Sequence, residues 1–168
     1  MNVKSFEDLF IMELSDVYSA EKQLTKALKK MSKAASDEML AEAFMMHLEE
    51  TEGQVARIEE LAKKEGLTLK RIKCEAMEGL IAEGQEAIDE VEEGPLLDVA
   101  LIMAAQKVEH YEIAAYGSLV ELSKLLGYAD AEELLNETLE EEKATDVKLT
   151  EIAVGSVNEQ AEAMRAEA

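Results

Sequence analysis

Apolar residues recur every three or four positions along almost the whole chain, and only one proline interrupts them. Phe6, Phe10, Leu14, Val17, Leu24, Leu28 and Met31 share one helical face, and so do Leu40, Ala43, Phe44, Leu48, Val55, Ile58 and Leu61. Leu97, Leu101, Ala105, Val108, Ile113, Tyr116 and Leu119 make a third stripe; Leu135, Leu139, Leu149 and Ile152 make a fourth. This is the period of an α-helix, and it leaves no room for the alternation of a half-buried strand. Aromatic residues are 4% of the chain and Trp is absent, so a core must come from Leu, Ile, Val, Ala and Met, which suits helix packing. The expected fold is all-α.

Punctuation places the helices. Ser5 with Asp8 predicts the first N-cap, Ser36 the second, and Asp130 with Glu133 a third. Gly66 and Gly127 fit helix stops, and Gly94-Pro95 breaks the chain where proline suits a new first turn. Between residues 67 and 94, Met77, Leu80, Ile81, Ala87, Ile88 and Val91 form a shorter stripe broken by Gly79 and Gly84, read as a crossover helix with soft ends. Short turns at 33–36 and 127–130 then give two antiparallel hairpins joined by that crossover. This is one route to a four-helix bundle of ferritin-like topology. Residues 1–168 form one domain in this reading, with a frayed tail after about 156.

Charge narrows the function. A formal net charge of −21 argues against nucleic acid and against an anionic membrane surface, while it suits cations. Cys74 is the only cysteine, which excludes an internal disulfide and a thiolate cluster. The segment MNVKSFEDLF does not resemble a signal peptide, and no run of ~18 apolar residues occurs, so the expected compartment is the cytoplasm.

In an antiparallel hairpin, residues equidistant from the turn stand level. Glu21 and Glu50 are equidistant from the predicted turn at 35–36, and Glu112 and Glu141 from that at 126–127; both pairs are 29 residues apart. Four glutamates from four helices would share one layer. A repeat with a shift of 91 residues supports the pairing: HLEETEGQVARIEELA at 47–62 lies over TLEEEKATDVKLTEIA at 138–153. Glu50 belongs to the row Ala43, His47, Glu50, Gln54, Ile58, Leu61, and Glu141 to the row Leu134, Thr138, Glu141, Thr145. Clustered carboxylates inside a bundle repel and are costly to desolvate, so protonation or a pair of divalent cations would be needed to relieve them. Di-iron and di-manganese bundles use two lone Glu and two Glu-x-x-His pairs. Here Gly53 and Ala144 stand where the histidines would be. Glu109 is level with Ala144, and Tyr18 with Gly53, whose small size would leave room for the ring. His47 offers an imidazole one turn before Glu50, and Glu142 competes with its neighbour Glu141. Asp146 and Gln54 are further candidates around this layer. His110 is expected to point away from it.

At these residues the chain resembles the YciF bacterial stress-protein family of the ferritin-like superfamily. The blocks that carry the resemblance are LSDVYSAEKQLTKAL (14–28), HLEETEGQ (47–54), KRIKCEAMEGLI (70–81), AAQKVEHYEIAAYG (104–117) and TLEEEKATDVKLT (138–150). The resemblance implies a helical bundle that forms a homodimer, expression under stress, and a ferritin-like metal site, where a dinuclear centre of iron or manganese is the expected cofactor. Superfamily metal positions fall on Glu21, Glu50, Glu112 and Glu141, with Glu109 resembling the extra carboxylate of rubrerythrin-like sites. Apolar Met77, Leu80 and Ile81 look surplus to one bundle, which also points to a homodimer. Two functions compete: a metal-carboxylate protein that handles peroxide or oxygen, and a non-catalytic dimerisation or interaction protein with a vestigial site. No catalytic residue can be assigned from the sequence.

Overall fold

A computed structural model of the chain describes residues 3–165. It is all-α: α1 (Phe6–Ala34), α2 (Glu38–Lys64), α3 (Glu75–Glu90), α4 (Pro95–Leu126), α5 (Ala129–Ile152), a π-helical turn (Ala153–Val157) and α6 (Asn158–Arg165). Among the described residues no helix is long and apolar enough to cross a membrane.

The helix ends follow local chemistry. Ser5 Oγ accepts from Asp8 N at 3.0 Å, while Asp8 Oδ2 accepts from Lys4 N at 3.1 Å. Gly127 ends α4 in the left-handed region at φ 73, where a side chain would be strained. That tight turn brings the chain back into helix by Ala129. Tyr128 therefore holds the cap position without a side-chain bond, and Asp130 and Glu133 fall within α5 rather than opening it. The second predicted cap is also displaced by one residue. Asp37 caps α2 through Leu40 N at 3.0 Å, and Ser36 lies in the turn.

Both turn residues donate to α4. Ser36 N and Asp37 N reach the buried Asp98 carboxylate at 2.7 and 3.0 Å, so the first turn of α4 is latched to the α1–α2 turn. Asp98→Ala leaves these two N–H groups without their acceptor. We expect it to lower unfolding free energy by about 2–3 kcal/mol, read from urea melts.

α1 packs along α2 and α4 along α5; α1 also meets α4, α2 meets α5, and α3 lies on α1 and α4. Met77 is fully buried, and Leu80 and Ile81 pack on the core. Met77 is thus covered within the chain, while Leu80 and Ile81 stay half-buried. Of the tail expected to fray beyond Ser156, the described part is helical to Arg165, with Val157 buried and α6 against α4; the last three residues lie outside the described range.

The apolar interior comes in two parts. One gathers Leu24, Leu28, Leu40, Phe44, Leu101 and Leu149; the other gathers Phe10, Leu14, Ile58, Leu61, Tyr116 and Leu135. Where the two parts meet, α1, α2, α4 and α5 each bury polar or ionisable side chains, among them Glu21, His47, Gln54, Glu109, Glu112 and Glu142.

Candidate metal centre

Glu21 of α1, His47 of α2, Glu109 and Glu112 of α4, and Glu142 of α5 occupy this middle zone. The four glutamates are 0% exposed and His47 is 3% exposed. One ligand atom from each of His47, Glu109, Glu112 and Glu142 lies within 4.8 Å of the others. Ligand bonds of about 2.0–2.2 Å place atoms sharing one ion up to about 4.4 Å apart, so the group needs to close by only a few tenths of an ångström.

Hydrogen bonding leaves this group unfinished. Both oxygens of Glu109, both of Glu112, Glu142 Oε2, Glu21 Oε2, His47 Nε2 and Gln54 Oε1 are buried without a hydrogen-bond partner among the described residues. Buried acceptors left this way are costly, and their concentration in one place matches a set of donors facing a cation. His47 Nδ1 lies 3.5 Å from Glu109 Oε1, and Nε2 lies 3.7 Å from Glu142 Oε2. Around the group, Tyr116 Oη donates to Glu21 Oε1, and Gln54 Nε2 donates to Glu142 Oε1 at 2.6 Å. These bonds orient two carboxylates while leaving one oxygen of each unpartnered.

Electrostatics follow from burial. Desolvation pushes the Glu21, Glu109 and Glu112 carboxyls well above the usual carboxylate range. Neighbouring carboxylates add to it, Glu142 acting on Glu21 and Glu109, and Glu21 on Glu112. The same zone holds Tyr116, whose hydroxyl is raised by desolvation and then by Glu21.

Glu50 and Glu141 stand elsewhere. Glu50 is exposed at the edge of the α2 stripe, and Gly53 is exposed beyond it, with no side chain of another helix packed against it among the described residues. Tyr18 thus does not fill a gap over Gly53; its hydroxyl donates to Glu59 at 2.6 Å. Glu141 is half-buried and held by Arg57 through Nη1–Oε2 at 2.7 Å and Nη2–Oε1 at 2.9 Å. Its neighbour Glu142 is the one turned inward, because it lies at the centre of the α5 stripe and Glu141 lies about 100° round the helix. Gln54 Nε2 also reaches Glu141 Oε2 at 3.1 Å, linking the outer carboxylate to the inner one. Of the remaining candidates, Asp146 accepts from Gln106 at 3.1 Å, and His110 is exposed, as its face predicts.

A donor set of one imidazole and several carboxylates fits a hard or borderline divalent ion such as iron or manganese. A thiolate is not among the donors: Cys74 is buried at the N-cap of α3, with Sγ 3.1 Å from Tyr111 Oη.

The model for the domain of unknown function DUF892 matches residues 5–162. Protein YciF of Escherichia coli K12 is 58% identical over 163 residues, covering 96% of this chain and 98% of that protein. The chain belongs to the YciF family, DUF892. The crystal structure of the E. coli stress protein YciF matches with a TM-score of 0.90 at 57% identity, over 93% of this chain and 99% of that one. The YcfI structure from Rhodopseudomonas palustris matches with a TM-score of 0.86 at 41% identity, over 89% and 95%. A protein from Xanthomonas campestris shares the fold at 18% identity, with a TM-score of 0.74 over 96% and 99%. The YciF-family resemblance read from the sequence blocks is therefore correct, and it extends over nearly the full chain.

Proposed function

We propose that this chain is a stress-response protein that binds iron or manganese as a dinuclear carboxylate centre in a ferritin-like four-helix bundle, and that it handles peroxide or oxygen. The observation that carries the reading is the buried group of unpartnered carboxylate oxygens around His47. Burial of four ionisable carboxylates in one zone makes sense when two divalent cations offset them, since otherwise each ionised carboxylate pays its desolvation cost uncompensated. His47, Glu109, Glu112 and Glu142 would hold one ion, and Glu21, with its unpartnered Oε2, would bring the further carboxylate a second ion requires. A redox-active ion bound here would supply one-electron chemistry toward a small oxidant. The chain's own contribution is to fix the ligands: Gln54 orients Glu142, Tyr116 orients Glu21, and the two apolar parts of the core keep bulk water away.

The bundle reading rests on the pairing of α1 with α2 and α4 with α5, with α3 crossing between the pairs. The stress role rests on the E. coli relative, which is described as a stress protein. A homodimer completes the proposal, supported by exposed apolar side chains such as Phe6 (62%) and Leu125 (69%).

Elemental analysis of protein purified without chelator tests the core of this reading. About two iron or manganese ions per chain are expected, and metal-free protein that also refuses added Fe²⁺ and Mn²⁺ would refute it. Light scattering across a wide concentration range should give twice the chain mass.

A further inference from the structure

We infer that cations reach and leave the buried group through the crevice between α2 and α5, with Glu50 as the carboxylate that draws them in. This rests on the metal-binding reading above. The crevice, about 160 Å³, is lined by residues that include Glu50, Glu141, Ala144, Lys148 and His47. His47 is the one residue common to the crevice and to the four that approach each other within 4.8 Å. Its Nε2 is buried without a hydrogen-bond partner, and its ring lies beside Glu109 and Glu142. Glu21, Glu109, Glu112 and Glu142 are themselves fully buried, so a route along this crevice meets His47 first.

The walls of the crevice carry charge of both signs. Arg57 binds both oxygens of Glu141, which leaves that carboxylate largely neutralised. Glu50 has no cation within 4.0 Å among the described residues, and so it is the free negative charge at the mouth. Lys148 opposes it, with Nζ 3.3 Å from Met46 Sδ. Gln54 Nε2 donates to both Glu141 and Glu142, so one amide ties a carboxylate of the crevice wall to one of the buried group. Ala43 and Ala144 present only methyl groups to the crevice on its two helices.

A charge along a route lowers the barrier in both directions, whereas a ligand deepens the bound state. Entry and release rates should therefore change together at Glu50, and the dissociation constant should not. The probe is Mn²⁺, followed by loss of the free-ion EPR signal on mixing with chelator-treated protein and by its return on adding chelator. We expect Glu50→Gln to slow both entry and release about three- to tenfold at low salt, and Lys148→Gln to speed both, with stoichiometry and affinity as in wild type. Both effects should shrink in 1 M salt. Ala144→Leu, which narrows the crevice without changing charge, should slow both rates at any salt. The inference is overturned if Glu50→Gln and Ala144→Leu exchange Mn²⁺ at the wild-type rate, or if Glu50→Gln weakens affinity by the factor by which it changes one rate. Wild-type protein that takes up no Mn²⁺ overturns both this inference and the metal reading beneath it.

Discussion

Glu112→Gln should abolish most of the thermal stabilisation that Fe²⁺ or Mn²⁺ confers on the chain. A ligand bound only to the folded state stabilises it by mass action, by about 2.7 kcal/mol at a hundred times its dissociation constant. Glu112 offers two buried oxygens with no partner among the described residues, so a metal loses an anionic donor when the charge goes. Glutamine keeps the shape, and its amide can donate to a neighbouring carboxylate. The metal-free variant should therefore be as stable as wild type or more so near neutral pH, since one mutually repelling carboxylate has been removed. Glu60→Gln is the control: its side chain is exposed and pairs with Lys64 at 2.9 Å, so both melting temperatures should stay near wild type. Melting curves of the three proteins with and without metal decide the matter. An undiminished metal shift in Glu112→Gln would remove Glu112 from the centre.

Metal-free protein should lose stability as pH rises from 5 to 8, the reverse of ordinary acid denaturation. Glu21, Glu109 and Glu112 have folded-state pKa values raised by burial well above the ordinary 4.5. Below 4.5 each is protonated in both states and carries no penalty. Above 4.5 the unfolded chain releases protons that the folded chain retains, so folding is penalised until the folded carboxyl also ionises. Each pH unit in that window removes about 1.4 kcal/mol per such carboxyl. Glu141 acts in the opposite sense, because hydrogen bonds from Arg57 and Gln54 outweigh its burial and hold its pKa low. Its contribution is lost only below 4.5, outside the window. Urea melts with chelator at each pH unit give the slope, and Glu112→Gln should flatten it. Loaded protein should show a metal increment that grows with pH, because protons compete for the same oxygens. A metal-free stability that rises steadily from pH 5 to 8 would contradict the burial of these groups.

The helices were legible because their apolar stripes are long and the punctuation is strong. The choice among adjacent carboxylates was less so, yet part of the signal was present at a spacing of seven. Leu14, Glu21 and Leu28 are all buried; so are Leu40, His47, Gln54 and Leu61, then Ala105, Glu112 and Leu119, and Leu135, Glu142 and Leu149. Each inward ionisable group sits in a register whose neighbours two turns away face the core. Glu50 and Glu141 break that register, since seven residues on stand Arg57 and Lys148. The level-with-the-turn rule fixed height along the bundle but not rotation about each helix axis. A rotation of 60–100° separates a wall from an interior, which is why height alone favoured Glu50 and Glu141. The 91-residue repeat was a better guide to kinship than to depth: it aligns Glu50 with Glu141, and both line the same crevice.

The polar zone between the two apolar parts is built from both hairpins, Glu21 and His47 from one and Glu109, Glu112 and Glu142 from the other. The donor group is complete only when both hairpins contribute to it. An ion in the middle would act as a rivet through the waist of the molecule, while the Asp98 latch fastens one end. A loaded chain pulled apart should open first at the end away from that latch and resist at mid-height, and amide exchange should slow most in the turns of helix flanking Glu21, His47, Glu112 and Glu142.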